Sequence, residues 1–140
     1  DSTGQSINLY HQDNLNLCPA LSLFLKVYAE TIDEGLSNSV PFGNDSRMVW
    51  IESESSKVMA GICYEYRPQY RMGWIVLSFT DPKYRGRGLN GILHGYMEDD
   101  IRKSGGNRVC SYVSLNNEKR LRAAEKVGLK PQFYRMQKML

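Results

Sequence analysis

The stretch DPKYRGRGLNGILHGY, residues 81–96, constrains this chain more than any other. It follows an apolar, β-branched run, GWIVLSF. It leads into Leu89, Ile92, Leu93, Tyr96, Met97 and Ile101, which recur at helical spacing. A strand therefore ends here and a helix begins. The first N–H groups of a helix have no intrahelical partner and carry partial positive charge, so a helix start binds anions. Gly86 and Gly88 let the backbone approach a bulky anion without a Cβ in the way. Arg85 and Arg87 add diffuse positive charge around it. The segment reads as a phosphate cradle. It lacks the Gly-Lys-Ser/Thr ending of a nucleotide-triphosphate loop and the G-x-G-x-x-G of a dinucleotide fingerprint. Taken alone, it also fits a solvated turn. RGRG also suggests an arginine-glycine RNA-binding tract, but such tracts are long and disordered. This one is a single copy feeding an amphipathic helix, so a nucleic-acid partner is not expected.

The rest of the chain supplies the frame. INLYH, residues 7–11, suits a short strand. In DNLNLCPALSLFLKVYAETIDEGL, Leu17, Leu21, Leu25, Tyr28 and Ile32 predict one apolar helix face, with Pro19 in the first turn and Gly35 at the end. SNSVPFGNDS is a loop by composition. RMVWIES, KVMAGICYEY and GWIVLSF are three consecutive strands with short links, which implies an antiparallel meander. After the helix that follows, SGG at 104–106 is a stop and NRVCSYVSL a strand. Strand, helix, strand requires a parallel crossover. A further helix runs from about Asn117 to Val127, Gly128 ends it, and QFYRMQKML closes the chain as a strand. The order β-α-β-β-β-α-β-α-β is an α/β fold with a mixed sheet covered by helices, an antiparallel meander joined to a parallel crossover. No repeat or second domain interrupts residues 1–140.

With 140 residues the chain can bury a real core. Its net charge of +3 suits an anionic small ligand without demanding nucleic acid. No apolar run approaches the ~20 residues that cross a bilayer, and no signal peptide pattern is present, which makes the cytoplasm the expected compartment. Cys18, Cys63 and Cys110 are odd in number and far apart, and so read as reduced thiols. His11 and His94 have no partners at ligand spacing, so no metal site is expected.

VLSFTDPKYRGRGLNGILHGYMEDDI resembles the acyl-CoA-binding segment of the GNAT family of N-acetyltransferases. The family pattern of Arg or Gln, two residues, Gly, one residue, then Gly or Ala falls on Arg85, Gly88 and Asn90. NNEKRLRAAEKVGL resembles the family's late helix, with Asn117, Lys126, Val127, Gly128 and Leu129 at the matching places. Three departures stand out. Asn90 replaces a small residue. Ala124 stands where many members place a Tyr that protonates the departing thiolate. Tyr112 stands where some place a Glu general base.

The resemblance implies acetyl transfer from acetyl-CoA to an amine, with the pyrophosphate on the amides of Arg85, Gly86, Arg87, Gly88, Leu89 and Asn90. The pantetheine arm would pair with the strand edge around Phe79 and Thr80, and Asn117 would cap the late helix and reach the cosubstrate. For proton transfer the candidates are Glu65, Tyr112 and Tyr134, each with a plainer reading as a solvated or packed side chain. Ser78 is a minor candidate, and a water can also carry the proton. The acceptor is an amine-bearing small molecule or protein, and the chain acts as a monomer or homodimer. The rival reading is a binding module of the same fold that holds acyl-CoA with little turnover.

Overall fold

Among the described residues, one sheet and its covering helices are built from β1 (Asn8–Gln12), α1 (Leu21–Asp33), β2 (Arg47–Glu52), β3 (Val58–Arg67), β4 (Met72–Thr80), α2 (Leu89–Lys103), β5 (Arg108–Ser111) and α3 (Glu118–Lys126). This computed structural model describes residues 1–14, 18–33, 43, 45–132 and 138. Residues 133–137, 139 and 140 of the expected closing strand, Tyr134 among them, lie outside the described residues, as do Leu17 and Gly35. The strands follow one another across the sheet in chain order. β1 to β4 are antiparallel, and β5 pairs parallel to β4 after the α2 crossover. The mixed α/β architecture predicted from the sequence is therefore present. Among the described residues no helix is long and apolar enough to cross a membrane.

Strand alternation sends side chains to opposite faces. On one face Met48, Trp50, Cys63, Trp74, Val76, Leu77 and Phe79 pack with Phe24 of α1. On the other, Val49, Ile51, Ile62, Tyr64 and Ile75 pack under Leu89, Leu93, Met97 and Ile101 of α2. Two predicted helix faces need correction. In α1 the buried stripe centres on Phe24, with Leu21, Val27 and Tyr28 beside it, while Leu25 is 43% exposed. In α2 the i, i+4 row Leu89, Leu93, Met97 and Ile101 meets the sheet, which turns Ile92 and Tyr96 outward and draws His94 inward. Both helices carry two adjacent apolar rows, and the sheet selects one.

A charged anchor locks α2 to the meander. Tyr64 Oη donates to Asp100 Oδ2 at 2.7 Å, and Arg47 Nη1 donates to the same oxygen at 2.7 Å. Burial acts to raise the Asp100 pKa, but the Tyr64 and Arg47 hydrogen bonds and the Arg47 charge outweigh it and hold the carboxyl below its ordinary value. Burial, followed by the hydrogen bond to Asp100, pushes the Tyr64 phenol up.

Two irregularities in β4 prepare the site. The register with β3 jumps from Cys63↔Leu77 to Tyr64↔Ile75, so Val76 is an extra residue in β4. Pairing with β5 covers only Met72 to Ile75. Beyond Ile75, β4 continues along β3, and its other edge has no strand partner among the described residues.

Candidate cosubstrate cleft

The unpaired edge can be resolved residue by residue. Asp81 donates its N–H to the Met59 carbonyl at 2.9 Å, on the β3 side. Backbone groups alternate sides along an antiparallel strand. Phe79, two residues earlier and opposite Gly61, therefore also bonds toward β3. Ser78 and Thr80 direct their N–H and C=O groups to the side vacated by β5. This corrects the sequence reading, which placed Phe79 at the edge: its backbone is committed to β3 and its ring is buried against α1's face.

The edge runs into the glycine-rich loop. Asp81 caps a short 3-10 turn, Pro82–Tyr84, by accepting from the Lys83 N–H at 2.9 Å. Gly86 and Gly88 both have φ of 77°, a left-handed conformation that favours glycine. Gly88 is the N-cap of α2. A Cβ on Gly86 would meet nothing within 4 Å, and one on Gly88 would meet only Ser2 Cβ at 3.9 Å. The first bond of the helix runs from the Gly91 N–H to the Gly88 carbonyl at 3.1 Å, and the Leu89 and Asn90 N–H groups precede it. The loop thus presents free amides below open space, which fits a phosphate.

The two loop arginines part ways. Arg85 is exposed, and its Nε donates to the Thr80 carbonyl at 3.4 Å. Arg87 turns back onto the N-terminal segment, where Asp1, Thr3 and Gln5 hold its guanidinium. It lies 5.5 Å from the centre of the Tyr84 ring. The even-handed charge expected of the pair is absent: Arg85 faces the cleft edge, and Arg87 is spoken for.

α3 follows β5. Asn117 caps it, its Oδ1 accepting from the Arg120 N–H at 3.1 Å. Ala124 is buried on the inner side. His94 of α2 is buried as well, with Nε2 unpartnered. Burial, reinforced by the charge of Arg120, lowers its pKa to about 4. Sequence reasoning missed His94 and Arg120. The available signal was a cation four residues before Ala124, on the same face of α3.

On the opposite face the structure brings two proton-transfer candidates together. Glu65 pairs with Trp74 across the β3–β4 ladder. Its Oε1 accepts from Ser46 Oγ at 2.9 Å, and Arg67 lies 3.4 Å from Oε2. The Arg67 guanidinium sits 4.7 Å from the Trp74 ring centre. Tyr112 meets the same indole edge-on at 4.7 Å and remains 54% exposed. Tyr112 falls just past β5, whose last residue is Ser111, and not within the strand as predicted. Trp74 Nε1 is buried without a partner. Among the described residues no group of three His, Cys, Asp or Glu could hold a metal.

The sequence model of the Acetyltransferase (GNAT) family matches residues 18–129. A search of curated protein sequences finds no significant match. Several solved structures share the fold. An aminoglycoside acetyltransferase from an uncultured soil metagenomic sample, in complex with trehalose, superposes with a TM-score of 0.73 at 14% identity, covering 96% of each chain. Ribosomal-protein-alanine N-acetyltransferase from Brucella melitensis biovar Abortus 2308 gives 0.71 at 10% identity, over 96% of this chain and 100% of the other. An acetyltransferase from Trypanosoma brucei gives 0.67 at 18% identity, over 96% and 100%.

Proposed function

The chain belongs to the acetyltransferase (GNAT) family, and on that premise we propose that it moves an acetyl group from acetyl-CoA to a primary amine by direct attack in a ternary complex. The observation that carries this reading is the continuity of the unpaired β4 edge with the open Gly86–Gly88 helix start. One extended groove thereby offers strand-pairing groups and then anion-binding amides. A ligand with a peptide-like arm ending in a pyrophosphate matches that sequence of groups.

Acetyl-CoA supplies an activated thioester. The chain's own residues do the rest. The amides of Gly86 to Asn90, with Arg85, hold the pyrophosphate. Ser78 and Thr80 pair with the amides of the arm as an added strand would. A backbone N–H at the β4 bulge around Val76 polarises the thioester carbonyl. Glu65, fixed by Ser46 and Arg67, takes the amine's proton through water. Tyr112 stands at the rim of the same face to return a proton to the thiolate. Ala124 leaves no hydroxyl on α3 for that purpose.

The acceptor is an amine-bearing small molecule or protein, reached from the Trp74 face, and the expected setting is the cytoplasm. Ala124 also motivates the second reading, a module that binds acyl-CoA with little turnover. The test is thiol release from acetyl-CoA with a panel of amines that includes an aminoglycoside and an alanine-bearing ribosomal protein. Amine-dependent release supports the enzyme. Tight acetyl-CoA binding with no release above the rate in buffer supports the binding module.

A further inference from the structure

A second cation, on α3, stands without a partner among the described residues. Arg120 is the third residue of α3. Its Nη2 is shielded from solvent and makes no hydrogen bond. Among the described residues no carboxylate lies within ion-pair distance of it, whereas Arg47, Arg67, Arg87, Arg102 and Arg122 each have one. The neighbouring polar group on α2 is His94, 3% exposed, whose Nε2 is equally unpartnered. Burial lowers the pKa of both groups, and the charge of Arg120 lowers that of His94 further. The imidazole is therefore neutral at pH 7 and gives the guanidinium no counter-charge. Removing a charge from water without a partner is strongly unfavourable. A half-buried guanidinium with a shielded, unsatisfied nitrogen beside a buried, unsatisfied imidazole points to a ligand that completes them.

Their place in the fold identifies that ligand. β4 and β5 run parallel, so α2 and α3 both begin at the C-terminal ends of those strands, where the Gly86–Gly88 loop lies. Arg120 stands one turn before buried Ala124, on the same face of α3. Helical side chains lean toward the helix N-terminus. The guanidinium thus leans toward the loop end of the cleft and away from the thioester end. We propose that Arg120 is an anion receptor for a phosphate group of the acyl-CoA, supplying from α3 the cation that Arg87 withholds through Asp1. His94 walls the receptor and offers it a neutral nitrogen. The assignment rests on the cosubstrate reading above.

The experiment compares wild type, Arg120→Met and Arg120→Lys by calorimetric titration with CoA and, at higher concentration, with pantetheine. Arg120→Met should bind CoA about tenfold more weakly, as expected for one charge-assisted contact, and bind pantetheine as wild type does. Arg120→Lys should recover most of the CoA affinity. Without ligand, Arg120→Met should melt no lower than wild type, because it removes a half-buried charge that has no partner. Equal weakening toward pantetheine, unchanged CoA affinity, or a lower melting temperature in Arg120→Met each overturns the assignment. So does a wild-type preference for malonyl-CoA over acetyl-CoA that Arg120→Met erases, since the anion would then be an acyl carboxylate. A wild-type chain that binds neither CoA nor pantetheine overturns the cosubstrate reading itself, and this assignment with it.

Discussion

The carboxylate of Asp1 and the guanidinium of Arg87 form a shielded ion pair, with the Asp1 side chain 0% exposed and that of Arg87 16% exposed. The pair fastens the N-terminal segment beside the glycine loop, helped by the Ser2 N–H, which donates to the Arg87 carbonyl at 3.1 Å. Arg87 thereby serves the fold, while Arg85 remains available to the cleft. Arg87→Gln should lower stability by about 1 kcal/mol, since the segment can peel away and rehydrate Asp1 instead of burying an unpaired charge. It should change CoA affinity less than about threefold. Arg85→Gln should do the reverse, weakening CoA several-fold through one lost phosphate contact with little effect on melting. Paired thermal melts and titrations of the two variants check the division.

Tyr64→Phe should destabilise the chain by about 2 kcal/mol, the range for a hydrogen bond to a charged group. The variant keeps the ring in the core but leaves Asp100 with Arg47 as its main partner. Urea denaturation measures the change, and an unchanged midpoint would mean that the Tyr64–Asp100 contact is formed as well in the unfolded chain or contributes nothing net.

His94 gives stability a pH signature. Its folded pKa of about 4 lies below the ordinary value of 6.5. Between those values the unfolded chain binds more protons than the folded one. Stability therefore rises with pH through this window, is fully present above about 6.5 and is lost as pH falls toward about 4. The span is on the order of 3 kcal/mol. His94→Leu should flatten that part of the melting-temperature profile. An identical slope in both proteins would assign it to other groups.

Much of this was legible in the sequence because short-range rules decide it. The meander, the crossover and the glycine junction follow from periodicity, link length and the demand for left-handed backbone at Gly86 and Gly88. Long-range choices were not legible. Which of two apolar rows α2 buries depends on the sheet beneath it, so Ile92 was read into the apolar face and the burial of His94 was not foreseen. Arg87 looked like a cleft residue because nothing local pairs it with Asp1, 86 positions upstream. The Phe79 error came from strand phase: alternation alone does not say which residue of a strand faces the partner, and the Asp81–Met59 bond supplies that phase. Glu65 and Tyr112 were separate candidates until Trp74 joined them.

Asn90 should contribute to phosphate binding. It is the second residue of α2, half-buried, with a side-chain amide that can donate beside the free loop amides. Asn90→Gly should bind CoA about 1 kcal/mol more weakly, the usual net value of one hydrogen bond. Tighter binding by the glycine variant would mark Asn90 as an obstruction and favour the binding-module reading.

The most direct test of the central claim is a thermal melt of the wild-type chain across a series of acetyl-CoA concentrations. A ligand that binds only the folded state stabilises it by mass action, by about 2.7 kcal/mol at a hundred times Kd. The account predicts a melting temperature that climbs with the logarithm of acetyl-CoA concentration. It also predicts that a folded Gly88→Val variant, whose side chain fills the space above the loop, shows no climb. A wild-type melting temperature that stays flat up to saturating acetyl-CoA would contradict the account.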